Sequence, residues 1–364
     1  VADVVVTGSA TQLEAIDAAW LTTALQEAAA AGDSMVTSAD AASIGTGQVG
    51  ENVRFSLTWS DPDESLPASV VGKFPSTSEV SRAAAAATET YIREVGFYRD
   101  LQPEAAIRTP HVYRLEEDLE NNRFVLLMED IAPAEQGDQI AGCSVEEARL
   151  ALDAAADLHA ATWNKVAELT ALPWIGVPDP ESTKSRLALY GMLWPGFEDR
   201  YADRLTPDQL EAGRWLGGAI GDVAAASASL TPCLAHSDFR LDNMLFGRGG
   251  GVAPLTVVDW QTARLGIGAY DVAYFLGAGL LPDIRATHEH ALVDRYTAAL
   301  RDRGVDADEG EIQLGYRLGS TSGYAMAVVA SQIVEQTERG DDMFVAMASR
   351  HAEQMLTLDV ASLV

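Results

Sequence analysis

The chain has 364 residues, 48% of them hydrophobic, which is enough for a large buried core and too apolar for a disordered chain. With 25 basic and 54 acidic residues the formal net charge is −29, which excludes nucleic acid and anionic membranes as partners, because both demand basic surface. Cys143 and Cys233 are its two cysteines, far apart and without metal-ligand spacing, so a disulfide framework is excluded and a reducing compartment fits.

The chain starts Val-Ala-Asp-Val-Val-Val, with no basic leader and no long apolar run. Apolar stretches such as Ala325–Ala330 are too short to span a bilayer, so a soluble cytoplasmic protein is expected. Residues 11–31 read as an amphipathic helix with Trp20, Leu21 and Leu25 on one side. Val53 to Trp59 alternates as a half-buried strand does, Asp61-Pro62-Asp63 marks a turn, and Ala68–Phe74 is a further strand. One long helix is expected from about Ser81 to Leu101. Strands follow near Val112–Glu117 and Phe124–Glu129, joined by the turn pair Asn121-Asn122.

After Asp130 the pattern turns helical. Ser144 is a helix N-cap with Glu147 at the reciprocal capping position, and that helix runs through His159. Residues 167–215 read as an irregular, aromatic-rich insertion. Short strands at Met244–Phe246 and Leu255–Val258 flank a polar stretch, and helices fill the rest. The layout is a smaller lobe over residues 1–131, with about five strands and one helix, and a larger helical lobe over 132–364. Pro133 and Gly137 break regular structure at the boundary, and a cleft between lobes is a favoured place for a ligand.

Several polar residues point to phosphate chemistry in that cleft. Gly45, Gly47 and Gly50 fit G-x-G-x-x-G but precede a strand, so they lie on a hairpin rather than at a dinucleotide-binding turn. A glycine hairpin can fold backbone N–H groups over phosphates, and a plain turn explains it equally well. Lys73 ends an apolar strand in a chain that owns only three lysines, so it reads as a phosphate-reaching ammonium more readily than as an edge-strand lysine. Glu94 shares a helix face with Tyr91, Tyr98 and Leu101, and a carboxylate on a packed face needs a partner. Lys73 is the natural one, Glu89 is a substitute for Glu94, and a boundary glutamate reaching solvent is the plainer alternative.

The stretch Ala-His-Ser-Asp-Phe-Arg-Leu-Asp-Asn at 235–243 concentrates the chemistry. Asp238 suits a carboxylate that orients a hydroxyl and takes its proton. Asn243, five residues on, offers an amide oxygen to magnesium. His236 suits a loop brace, and Arg240 offsets nearby negative charge. Asp259 stands at the end of the apolar Val257-Val258, where a carboxylate can hold the ion that bridges phosphates. Each aspartate alone also reads as a cap or turn residue.

Taken together the chain resembles the kinase-like small-molecule phosphotransferases, the aminoglycoside and choline kinase group, and looks closest to the ecdysteroid-kinase-like branch. The resemblance rests on Tyr91 to Tyr98, Leu126 to Ile131, Leu158-His159-Ala160, His236 to Asn243 and Val258 to Gln261, and it covers most of residues 35–350. It implies an α+β, two-lobed protein-kinase-like fold, with a five-stranded antiparallel sheet plus a helix in the N-lobe and a mostly helical C-lobe. It implies ATP and Mg2+ as cofactors, with adenine against the backbone of Met128, Glu129, Asp130 and Ile131. Asp238 would be catalytic, Asn243 and Asp259 the metal ligands, Lys73 and Glu94 the phosphate-positioning pair, and Asp271 a buried support of the catalytic loop.

There are departures. Ser237 stands where the group usually has glycine, and Asp259-Trp260-Gln261 lacks the glycine of the protein-kinase Asp-Phe-Gly. Asp259 and Asp271 are too close for a long activation segment, which favours a small hydroxylated molecule over a protein as acceptor. Trp174, Trp194, Trp215, Tyr190, Phe197 and Tyr201 in the insertion divide between core packing and an acceptor pocket. Glu198, Asp199 and Asp203 would suit an amine but read more simply as a solvated acidic face. His159 reads as a structural hydrogen-bonding residue. Two other functions compete: a kinase-shaped nucleotide-binding protein without turnover, and a metal-dependent hydrolase using His236, Asp238 and Asp259.

Overall fold

The computed structural model describes residues 5–7, 10–45, 50–102, 105–176 and 180–364. The N-terminal part runs β1 (Val5–Thr7), α1 (Ala18–Glu27), β2 (Val36–Ile44), β3 (Gly50–Trp59), β4 (Ser69–Pro75), α2 (Glu79–Ala87), α3 (Thr90–Gly96), β5 (Val112–Asp118) and β6 (Arg123–Glu129). These strands form one sheet in the order β1-β5-β6-β4-β3-β2. The five longer strands pair antiparallel, and the short β1 adds to the edge in parallel with β5.

Strand periodicity explains which way each side chain faces. The apolar run of β6 divides between the two faces: Val125 and Leu127 pack toward α1, Phe124, Leu126 and Met128 toward α3. In β4, Val70 and Phe74 pack on the α1 side. Lys73 therefore projects to the other face, the one that carries α3. Leu21 and Leu25 of α1 are fully buried against that first face, so the N-terminal helix is a lid on the sheet.

The long helix expected over Ser81–Leu101 is broken. Glu89 takes a left-handed φ of 56° between α2 and α3, and Arg93 holds the break by donating to the Glu89 carboxylate at 2.7 Å and to the Thr88 carbonyl. Beyond α3 the chain widens into a π-helical turn, Phe97–Leu101, which buries both Phe97 and Tyr98. A 3.6-residue pattern does not register one left-handed residue or one widened turn.

The C-terminal part is mostly helical: β7 (Ala134–Gln136), α4 (Val145–Thr162), α5 (Val166–Thr170), α6 (Pro180–Tyr201), α7 (Pro207–Ala226), β8 (Cys233–Ala235), β9 (Met244–Gly247), β10 (Leu255–Val257), β11 (Arg264–Gly266), α8 (Gly268–Gly279), α9 (Pro282–Asp302), α10 (Glu309–Gly319), α11 (Thr321–Ile333) and α12 (Glu338–Thr357). The capping box at Ser144 and Glu147 forms as read, with both reciprocal bonds present. The expectation of an irregular segment over 167–215 is overturned: most of it is α6 and the first half of α7. Pro195 and several glycines mask the helical signal, and α6 has apolar residues on more than one side because it packs against both α7 and α11. Tyr190, Phe197 and Tyr201 are core, buried with Tyr324 and Phe344, whereas Trp194 and Trp215 are only partly covered. Among the described residues no helix is long and apolar enough to cross a membrane.

Candidate active site

The loop from His236 to Asn243 leaves the buried strand β8 and ends at β9. β11 pairs with β8, which brings the first turn of α8 beneath the loop. Asp271, on that turn and 2% exposed, accepts the His236 backbone N–H at 2.7 Å and the Ser237 N–H at 2.9 Å. His159 donates from Nε2 to the same carboxylate at 3.2 Å, and its Nδ1 meets the Tyr296 hydroxyl at 2.8 Å. His159 is thus a structural residue, as expected. His236 accepts the Asp238 N–H on Nδ1 at 3.3 Å and donates from Nε2 to the Val258 carbonyl at 3.1 Å. The loop histidine therefore ties the loop to the strand end that carries Asp259. Ser237 holds a left-handed φ of 66°, the conformation in which glycine has no steric penalty.

The Asp238 carboxylate meets three donors. Asn243 Nδ2 reaches Oδ2 at 2.9 Å and Arg240 Nε the same oxygen at 3.1 Å, while the Tyr274 hydroxyl reaches Oδ1 at 2.8 Å. Burial disfavours the charged form, but Arg240, then the Tyr274 hydroxyl, outweigh it and hold the carboxyl below its ordinary pKa. Arg240 also pairs with Asp242 at 2.8 Å, and the charge of Asp238 raises the guanidinium's pKa against burial.

Lys73 makes the link between the two lobes. Its Nζ donates to Glu94 Oε1 at 2.6 Å and to Asp259 Oδ1 at 3.0 Å. Burial works against an ammonium here, yet Asp259 and Glu94 together raise its pKa, so the charge persists. Burial also pushes the Glu94 carboxyl's pKa up despite the lysine. Asp259 sits at φ 70° and takes a second hydrogen bond from Gln261 Nε2 at 3.1 Å. Beneath it Trp260 stacks flat on Phe97, with centroids 3.6 Å apart, so the π-helical turn after α3 anchors the segment that carries Asp259.

The Val258 N–H donates to the Asn243 carbonyl at 3.0 Å, which places Asn243 and Asp259 on adjoining strand ends. Asn243 uses its amide N–H groups on Asp238, and among the described residues its side-chain oxygen meets no donor. An open amide oxygen beside an aspartate is an oxygen-donor set that fits a hard divalent cation. Among the described residues no three His, Cys, Asp or Glu side chains gather as a metal-holding set.

Of the hairpin glycines, Gly47 lies outside the described residues. Gly45 has a φ of +75°, and a Cβ on Gly50 would stand 3.1 Å from the Phe74 carbonyl and 3.4 Å from Lys73 Cε. Gly50 thus lets β3 lie close over the lysine. At the end of β6, the Glu129 carboxylate takes Arg108 at 2.7 and 2.6 Å, and Asp130 takes Arg54 at 2.7 and 2.8 Å and Ser69 at 2.5 Å. Those side chains are committed to the protein. The Glu129 N–H goes to the His111 carbonyl, whereas the backbone N–H and C=O groups of Asp130 and Ile131 meet no partner among the described residues. Met128 and Ile131 are buried.

Lys73, Glu94 and Asp259 therefore meet at the seam between lobes, and Asp238 and Asn243 meet on the loop that adjoins the strand end carrying Asp259. The sequence reasoning missed Tyr274 and the Gln261 bond to Asp259. Tyr274 carried a usable signal: it follows Asp271 by one helical turn, so both face the loop.

The profile of the phosphotransferase enzyme family (APH) matches residues 66–312. No curated protein matches the sequence. Among solved structures, an ethanolamine kinase from Plasmodium vivax aligns with TM-score 0.52 at 13% identity, covering 90% of this chain and 83% of that one. A gentamicin–APH(2")-IIa complex aligns with TM-score 0.52 at 16% identity over 88% of this chain and 94% of that one. A choline kinase from Cryptosporidium parvum aligns with TM-score 0.52 at 8% identity over 90% and 91%. At these identities the likeness is one of fold, the two-lobed α+β arrangement described above.

Proposed function

Because the chain belongs to the phosphotransferase enzyme family, we propose that it moves the γ-phosphate of ATP to a hydroxyl group of a small molecule, with Mg2+. The observation that carries this reading is the contact of Lys73 with both Glu94 and Asp259, where Asp259 follows a residue bonded to the loop of an ionised Asp238. In this reading the free backbone edge at Asp130 and Ile131 takes the adenine, and Lys73 holds phosphate oxygens. Asn243 and Asp259 would hold the cation, whose charge offsets that of the phosphates. Asp238 orients the acceptor hydroxyl and receives its proton as the new O–P bond forms and the bond to the ADP oxygen breaks.

The short interval between Asp259 and α8, filled by β11, leaves no long segment on which a protein substrate would dock. That supports a small acceptor. The absence of a clustered histidine and carboxylate metal set among the described residues counts against the hydrolase alternative.

The test is ADP formation from Mg-ATP across a library of hydroxylated metabolites, with the wild-type chain and Asp238→Ala side by side. Acceptor-dependent turnover is expected, falling by at least about a hundredfold in the variant, the usual scale for losing a general base. Turnover that survives Asp238→Ala unchanged would overturn the mechanism.

A further inference from the structure

Two of the three donors on Asp238 come from its own loop; the third, Tyr274, comes from α8. Tyr274 is 3% exposed and packs with the aromatic core of α6, α7, α11 and α12, its ring 5.7 Å from that of His351. Its hydroxyl makes one hydrogen bond among the described residues, to Asp238 Oδ1. Burial raises the phenol well above its ordinary pKa, so it stays a neutral donor at all working pH values.

The distribution of bonds on the carboxylate is uneven. A carboxylate oxygen has two acceptor positions. Those of Oδ2 are filled by Asn243 and Arg240, while Oδ1 accepts Tyr274 alone and keeps one position open. Rotation of the carboxylate would exchange the two oxygens, and the phenol from a rigid helix opposes that rotation.

We propose that Tyr274 is a positioning residue: its hydroxyl fixes the rotation of Asp238 so that the open position of Oδ1 is the one an acceptor alcohol meets. The inference rests on the phosphotransferase reading above and deepens it. In that reading Tyr274 is assigned no contact with phosphate or cation and acts through Asp238. The aromatic core behind Tyr274 thereby sets the aim of the catalytic carboxylate, linking α6, α7 and α12 to the reacting oxygen. The charged and titratable groups facing this pair are Arg240 and His236 on the loop, Asp271 on α8 and His351 on α12.

Tyr274→Phe keeps the ring and removes the bond. Tyr190→Phe is the control, since the Tyr190 hydroxyl donates to the Gly213 carbonyl in the same core, away from the loop. The rotation of the Asp238 carboxylate is read from crystal structures of the wild type and both tyrosine variants. Turnover with Mg-ATP and the best library acceptor, and Mg-ATP affinity by calorimetry, are measured on the same proteins. In Tyr274→Phe the Asp238 carboxylate is expected to turn from its wild-type rotation and turnover to fall about tenfold, the scale of one hydrogen bond to a charged group. Mg-ATP affinity stays unchanged, and Tyr190→Phe moves none of the three. An unturned carboxylate, or equal turnover in Tyr274→Phe, overturns the inference. A wild-type chain that phosphorylates no acceptor fails the functional reading instead, and the rotation of the carboxylate still decides whether Tyr274 governs Asp238.

Discussion

Asp259 holds a left-handed φ of 70° and divides its carboxylate between Lys73 and Gln261. A non-glycine residue in that region carries backbone strain, and the two side-chain bonds with the Trp260 stack on Phe97 are what hold it there. Removing the carboxylate has two effects in one place. The proposed cation loses a charged ligand, and buried Lys73 keeps, among the described residues, only Glu94 as counter-charge. Outer-shell partners of metal ligands typically contribute 10–100-fold in affinity, so loss of a direct ligand should weaken Mg-ATP binding by at least about tenfold. Calorimetric titration of Asp259→Ala checks this, and unchanged Mg-ATP affinity would contradict the assignment. Lys73 and Glu94 were legible in the sequence because each was anomalous where it stood: a rare lysine in an apolar strand, and a carboxylate on an aromatic helix face. Gln261 was not, since a glutamine after tryptophan is unremarkable until its partner is known.

Elements with a strict period were legible, and elements shaped by their neighbours were not. The alternation of β3, the antiparallel strands β5 and β6 and the capping box of α4 follow from local chemistry. Ser144 accepts the Glu147 N–H at 3.2 Å, and the Glu147 carboxylate returns to the Ser144 N–H at 3.0 Å, at the exposed end of an otherwise buried helix. Ser144→Ala should therefore lower unfolding free energy by about 1 kcal/mol, the typical value of an N-cap, in a urea melt. Turnover should be unaffected, because this cap lies at the end of α4 opposite to His159, the residue that reaches Asp271. By contrast, α6 and α7 form where an irregular insertion was expected. Gly213 shows why: a Cβ there would stand 2.5 Å from both Trp194 and Tyr324, so the glycine that reads as a helix breaker is the contact that lets α7 approach α6 and α11. The break at Glu89 and the π-helical turn at Phe97–Leu101 are likewise local departures that serve distant contacts, the second bringing Phe97 under Trp260.

At the scale of the whole molecule the charge is the largest uncompensated quantity. Even if every lysine and arginine paired with an acid, the chain would retain its net charge of −29. Self-repulsion of that size opposes compaction and is screened as the Debye length falls from roughly 30 Å at 0.01 M salt to roughly 8 Å at 0.15 M. The melting temperature should therefore rise with added sodium chloride by roughly 1 °C over that interval, a gain on the order of 1 kcal/mol. A melting temperature that falls would mean that ion pairs such as Arg99 with Glu117 outweigh the repulsion. By itself the sequence determined the α+β class, the strand-rich N-terminal part, the helical remainder and the concentration of polar chemistry at 236–243, because periodicity, capping and composition are local properties. Only the tertiary structure decided that Lys73 meets Asp259, 186 residues away, that α8 sends Tyr274 to Asp238, and that the aromatics of α6 are largely core. Those contacts depend on how separately formed elements pack, and the period of one segment carries no record of which distant segment it will face.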